Sequence, residues 1–255
     1  MSREPREVRA AIAHITHPKA GSQWIRRILM DCVPDLVVPS VDQLVANPAM
    51  NPSWDFLAQQ VMPGRVYPAL YLPKDHFDGV EGVESVRRFV VIRDLRDSLV
   101  SGYFSIRYSH PTDMAHVAEM RARLEDLSLE DGLIFLFDGF CDLCAAIQGT
   151  WMEAGDPLIR YEDLLLEDVK LLEEVLLGYC GLPVDRALFR DTVERNRFET
   201  LSGGRRRGEE DRTSHFRRGL PGDWRNHFTP RVTELFKRRF GDVLIYAGYE
   251  DNKDW

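Results

Sequence analysis

Apolar and polar positions along this chain repeat one order: a short apolar run, a tight loop, then a helical stripe. VRAAIAHIT, residues 8–16, is such a run; His17-Pro18 closes it, and SQWIRRILMDC takes up helical spacing from Ser22. Strand, loop and helix in this order are the opening half of a βαβ unit. RRFVVIRD repeats the pattern as the clearest buried strand, with RDSLVSGYFSIRYS continuing as a helix. PLIRYED reads as a further strand ending at Tyr161, followed by the periodic helix LLLEDVKLLEEVLLGYCG, which Gly181 stops. RVYPALYLP, residues 65–73, reads as a strand interrupted by Pro68. Residues 34–63 look mostly irregular, 113–130 look like a mobile or helical insertion, and 133–154 read as one cysteine-bearing helix. Residues 202–211 form a Gly- and charge-rich loop without core positions, and FTPRVTELFKRRFGDVLIYAGYE reads as a helix with a short terminal segment. This alternation predicts an α/β fold with a central, mostly parallel sheet flanked by helices and ligand sites at the carboxyl ends of its strands. No repeat or linker divides the chain, so residues 1–255 read as a single domain.

Composition narrows the classes. With 44 % hydrophobic and 29 % charged residues the chain is neither disordered nor fibrous. Its 33 Lys+Arg stand against 41 Asp+Glu, a net charge of −8, which disfavours nucleic acid as a partner. An anionic ligand must therefore be held by a local basic cluster. No run of 18 apolar residues and no secretion-type leader is visible, so no membrane association and a cytoplasmic location are expected. Four cysteines are too few for a disulfide scaffold. Cys141 and Cys144 form a lone CxxC on a predicted helix and read as small packed hydrophobes. No ligand cluster at zinc spacing exists, and no metal is expected.

Three loops carry candidate chemistry. HPKAGSQW sets Lys19, Gly21 and Ser22 between a strand end and a helix start, where backbone N–H groups converge on anions. It is not a Walker A motif, because Lys19 precedes the only glycine. The second loop brings Arg93 directly after VVI, with Arg96 and, eight residues on, Ser101. HFRRGLPGDW adds Arg217 and Arg218 beside Gly219. Each loop alone has a plain alternative as a capped turn, a helix-face hydroxyl or a solvated pair of arginines.

Together these segments resemble the PAPS-dependent sulfotransferases of cytosolic type. HPKAGSQW is similar to that family's phosphosulfate loop YPKSGTTW, and VVIRDLRDSLVSGY to its 3′-phosphate segment. RYEDL resembles its YEDL, and RRGLPGDWRNHFT its RKGxxGDWxxxFT, all in the family's order. The resemblance implies a P-loop NTPase-like fold, the donor 3′-phosphoadenosine 5′-phosphosulfate (PAPS), no metal, and a small-molecule hydroxyl or amine as acceptor. It implies that Lys19, Ala20, Gly21, Ser22 and Gln23 hold the 5′-phosphosulfate. Arg93 and Ser101, with Arg217, Arg218 and Gly219, would bind the 3′-phosphate, and Trp24, Tyr161 and Phe198 would surround the adenine; Phe198, like Asn196, rests on a looser match. In-line transfer would then proceed mainly by positioning and charge stabilisation, with Lys19 at the bridging oxygen.

Two departures matter. Ala20 and Gln23 replace the small hydroxyl residues usual in the first loop, which removes side-chain donors but leaves the backbone cradle. The family's catalytic histidine lies in a KTHLP-like segment, and the matching run here, ALYLPKDH, has Tyr71 in its place. The candidates for the base are His76, five residues on, then His17 at the mouth of the first loop, then Tyr71. A nucleotide-dependent kinase-like phosphotransferase and a non-catalytic nucleotide-binding module are the rival readings. The aromatics Trp54, Phe56, Tyr67, Tyr71, Phe77, Tyr103, Phe104 and Tyr108 suggest a partly apolar acceptor pocket. No motif names the acceptor or the oligomeric state.

Overall fold

The computed structural model describes residues 10–40, 42, 43, 47, 51–112 and 114–255. Val8 and Arg9 of the first predicted strand, and parts of the 34–63 and 113–130 segments, lie outside them. Four strands, β1 (Ile12–Thr16), β2 (Val66–Leu70), β3 (Arg87–Ile92) and β4 (Leu158–Arg160), pair in parallel in the order β2-β1-β3-β4. Their apolar content is near-continuous because a parallel sheet is covered on both faces. Ile12, Phe89 and Val91 face one layer, against Trp24, Ile25, Ile28 and Leu29 of α1 (Ser22–Cys32). Ala13, Ile15, Val90 and Ile92 face the other, against Phe77 and Trp151.

The crossover from β1 goes out to β2 and the next returns on the other side, to β3. The loops after β1 and β3 therefore diverge, and the crevice between them is where such sheets bind ligands.

Pro68 does not interrupt its strand. β2 is an edge, so the missing N–H faces no neighbour, and the register slips between Ala13 and Ile15 to absorb the ring. Ala69 there adopts φ 60° and donates its amide to Nδ1 of buried His14 at 3.3 Å. Tyr161 belongs to the following helix rather than to β4.

Further helices are α2 (Pro52–Leu57), within the stretch expected to be irregular, α3 (Lys74–Asp78), α4 (Leu95–Phe104) and α5 (Ala115–Glu125), the helical form of the expected insertion. The predicted helix at 133–154 is two, α6 (Leu129–Phe135) and α7 (Asp142–Trp151). The chain leaves helical geometry at Asp138 and Gly139, the latter at φ 73°. Apolar spacing continues across the break and so conceals it. The break throws the Phe140 ring across Gly102 of α4, where a Cβ would lie 2.4 Å from it. Cys141 and Cys144 are free, buried thiols whose pKa burial pushes up, as expected of packing residues.

α8 (Tyr161–Leu172) continues in wider turns to Tyr179, short of Gly181 at φ 68°. α9 (Arg186–Arg195), α10 (Phe198–Leu201) and α11 (Pro230–Tyr246) complete the layers. Val232, Phe236 and Phe240 of α11 share one buried core with Leu99 and Val100 of α4. Among the described residues no single helix is long and apolar enough to cross a membrane. The bent pair α6–α7 passes by length and composition, but Leu133, Phe137, Cys144 and Trp151 of this segment are buried in the protein.

Candidate active site

Thr16 Oγ1 donates to the Val91 carbonyl at 2.9 Å, locking the carboxyl ends of β1 and β3 side by side. The two loops that leave them are tied again. Arg93 donates its amide to His17 Nε2 at 3.1 Å and its guanidinium to the Lys19 carbonyl at 2.9 Å. Lys19 itself stands at φ 70°, a left-handed backbone held by these contacts. Gly21 follows at φ 84°, with a Tyr161 ring carbon 2.9 Å from where a Cβ would sit. Glycine thus serves both the turn and the close approach of Tyr161. Past it, the first-turn amides of α1 lack helical partners and face the cleft.

The C-terminal loop is brought in by Asp97 of α4. Its carboxylate is 2 % exposed and accepts from the amides of Gly222 (2.6 Å) and Trp224 (3.0 Å). Arg217 and Arg218 are in turn gripped by Asp223, and Arg217 also by Glu210. Burial raises the Asp223 pKa, but bonds from His227, Asn226 and Arg217 outweigh it and hold the carboxyl far below its ordinary range. Gly219, at φ 68°, leaves room for the Phe198 ring, 2.6 Å from a hypothetical Cβ.

The result is a cleft of about 540 Å³. Of the expected donor residues, Lys19, Gly21, Ser22, Gln23, Trp24, Arg93, Ser101, Tyr161, Phe198, Arg217, Arg218 and Gly219 line it. Ala20 does not: it is buried, and its amide donates to the His17 carbonyl at 3.3 Å. Arg96 is turned away, bonded to Asp94 and Glu250 between Trp224 and Trp255. Burial and the neighbouring Arg93 and Arg217 cations lower the Lys19 pKa to about 8. The Nε groups of Arg93, Arg217 and Arg218 are buried and lack a hydrogen-bond partner among the described residues. Crowded cations and unused donors together fit an anionic ligand.

Two of the three expected base candidates are in the wrong place. His76 lies on α3 with its side chain 60 % exposed beside Asp75, away from the cleft. His17 is buried with both ring nitrogens occupied, Nδ1 at the Pro18 carbonyl (3.1 Å) and Nε2 at the Arg93 amide, and burial lowers its pKa to about 4. It is a brace between the loops. Tyr71 does line the cleft, 2.7 Å from Ser22 Oγ. Burial raises its pKa, which unsuits it to take a proton.

The acceptor aromatics expected from the sequence are mostly core. Phe56, Tyr67 and Phe77 pack together under the sheet, Tyr103 and Phe104 at the end of α4 are buried in the second core, and Trp54 is 74 % exposed. The apolar end of the cleft is made instead by Ile106, Met114, Val117, Met120, Phe140 and Leu143. Arg207 and the histidines His110, His116 and His215 also line the cleft. Sequence reasoning passed over them; the one signal was that His215 stands two residues before the Arg217-Arg218-Gly219 triplet.

The family model for the sulfotransferase domain matches residues 83–248, more than half of the chain. The chain belongs to the sulfotransferase family. As a sulfotransferase it is an enzyme that moves a sulfuryl group from PAPS to a small-molecule acceptor. Among curated relatives it is 24 % identical to a 3-alpha-hydroxysteroid sulfotransferase of Cavia porcellus, over 92 % of this chain and 83 % of that one. It is 22 % identical to Sulfotransferase 2A1 of Homo sapiens, over 90 % and 82 %. Mouse sulfotransferase SULT7A1 complexed with PAP shares its fold, with a TM-score of 0.58 at 17 % identity, over 92 % of this chain and 84 % of that one. So does retinol dehydratase in complex with androsterone and PAP, at 0.53 and 13 %, over 92 % and 80 %.

Proposed function

We propose that the cleft holds PAPS across the β1/β3 crevice and delivers its sulfuryl group to a hydroxyl of an apolar small molecule. The observation that carries this reading is the convergence of Lys19, Arg93, Arg217 and Arg218, with unused buried N–H donors, at one end of a cleft whose other end is apolar. Lys19 and the α1 amides receive the phosphosulfate. Arg93, Ser101 and Arg217 receive the 3′-phosphate, whose charge displaces that of Glu210 and Asp223 on the arginines. Tyr161, under the Arg93 guanidinium at 4.5 Å, and Phe198 flank the base, with Trp24 at its edge. Lys19, the cation nearest the reacting bridge, stabilises the charge left on the departing phosphate, a preorganised contact worth most in the transition state.

The acceptor enters over α5, where Met114, Val117 and Met120 offer flexible apolar surface. One relative named for a hydroxysteroid, and a fold neighbour seen with androsterone, support a hydroxylated apolar acceptor. The test is transfer of label from ³⁵S-PAPS to androsterone, 1-decanol and 4-nitrophenol. Labelled product is expected. Tight PAP binding without any product would favour a nucleotide-binding module that has lost its chemistry.

A further inference from the structure

The acceptor must lose a proton as its oxygen attacks sulfur, and the family's position for that task is filled here by Tyr71, held to Ser22. The chain has seven histidines, and the fold disposes of most of them. His14 is buried against Phe89, with Nδ1 accepting from Ala69. His17 is fully engaged by backbone, His76 lies outside the cleft, and His227 is spent on Asp223 and the Phe104 ring. Three line the cleft: His110, His116 and His215. His110 has Nδ1 at the Pro111 carbonyl, 2.9 Å away, and His116 rides on α5 beside the apolar end.

His215 differs from both in its place, on the loop that carries Arg217 and Arg218. Like the His116 ring, its own has no hydrogen-bond partner among the described residues and lines the cleft, and the Lys19 cation acts on it. Its backbone is held as well. Arg205 bonds Ser214 Oγ (3.0 Å) and the carbonyls of Phe216 (2.6 Å) and Arg217 (3.0 Å), and Asp211 donates its amide to the Arg217 carbonyl at 3.0 Å. The Phe216 ring stands edge-on to the imidazole at 5.4 Å. A free imidazole on a braced loop, lining the same cleft as the lysine of the phosphosulfate loop, suits a general base.

We infer that His215 is the catalytic base of this sulfotransferase, the role having moved from the segment after β2 to the loop before Arg217. This rests on the donor placement proposed above. The acceptor oxygen forms its bond to sulfur while its proton passes to the His215 imidazole. The bond from sulfur to the bridging oxygen breaks, and its electron pair leaves on the 5′-phosphate beside Lys19. The imidazolium then returns its proton to solvent. Crowding in the cleft, with the neighbouring Lys19 charge, lowers the imidazole's pKa, so it is unprotonated in the free protein and open to accept a proton.

The test compares His215→Ala and His215→Gln with the parent at mildly alkaline pH, using ³⁵S-PAPS with androsterone, an alcohol that must be deprotonated, and 4-nitrophenol, an acidic phenol that is largely ionised there. Both variants are expected to lose about 10²-fold or more in kcat on androsterone. They should keep 4-nitrophenol turnover within a small factor and PAP affinity near the parent's, and added imidazole should restore part of the alanine variant's activity. Equal losses on the two acceptors, or retained androsterone turnover, would overturn the assignment; so would a selective loss in Tyr71→Phe, His110→Asn or His116→Asn instead. A parent that labels neither acceptor would overturn the proposed function itself, a result distinct from any of these.

Discussion

The two ends of the cleft are built on opposite principles. The donor end is made of backbone turns at strand termini, cross-tied by Arg93 to Lys19, His17 to Arg93 and Asp97 to Gly222. The acceptor end is made of side chains on α5, on the turns after α4 and at the break between α6 and α7, and apolar contacts prevail there. On the proposed reading the first selects for charge and the second for shape. A change at the donor end should act on nucleotide affinity or on the transition state. One at the acceptor end should act on KM for the acceptor alone.

Lys19→Met offers the largest expected break in that division. It should depress kcat by about 10²–10³-fold with a much smaller effect on PAP affinity. The same change should raise the melting temperature by a few degrees near neutral pH. The Lys19 pKa is lowered from 10.5 to about 8, so the unfolded chain binds the extra proton between those values and stability rises with pH across that window. Below it the buried charge is a standing cost, which methionine removes. A variant that melts lower than the parent would show that the ammonium is compensated within the free protein.

Next come the arginines. Arg93→Ala and Arg217→Ala should each weaken PAP binding by roughly 1.5–3 kcal/mol, read by calorimetry, and hardly alter binding of a nucleotide lacking the 3′-phosphate. Equal losses on both nucleotides would make the two residues structural. At the acceptor end, Gly102→Ala puts a methyl group where the Phe140 ring now lies, 2.4 Å away. The ring must swing, so KM for androsterone should change several-fold while PAP affinity stays as it was. An unchanged KM would remove Phe140 from the acceptor surface.

The same division governs how much was legible in the sequence. Strand-loop-helix alternation predicted the parallel sheet, and the loops after β1 and β3 appeared at the expected residues, because backbone cradles need glycine, lysine and arginine at fixed offsets from a strand end. The acceptor end has no such grammar. Apolar spacing through 133–154 conceals the Gly139 break that aims Phe140 at the cleft. The aromatics singled out for the pocket, such as Phe56 and Phe77, went to the core, where large apolar side chains bury most area. His76 is near Tyr71 in sequence but faces outward on α3, whereas His215 reaches the cleft from a loop 144 residues further on, a proximity that only the fold creates.

The central claim is that the crevice between β1 and β3 reads a nucleotide carrying phosphate at both ends of its ribose. Titration calorimetry with PAP and with adenosine 5′-monophosphate tests it most directly. PAP should bind at least about tenfold more tightly, as one charge-assisted phosphate contact requires, and Arg93→Ala should erase most of the difference. Equal affinity of the parent for the two nucleotides would contradict the account.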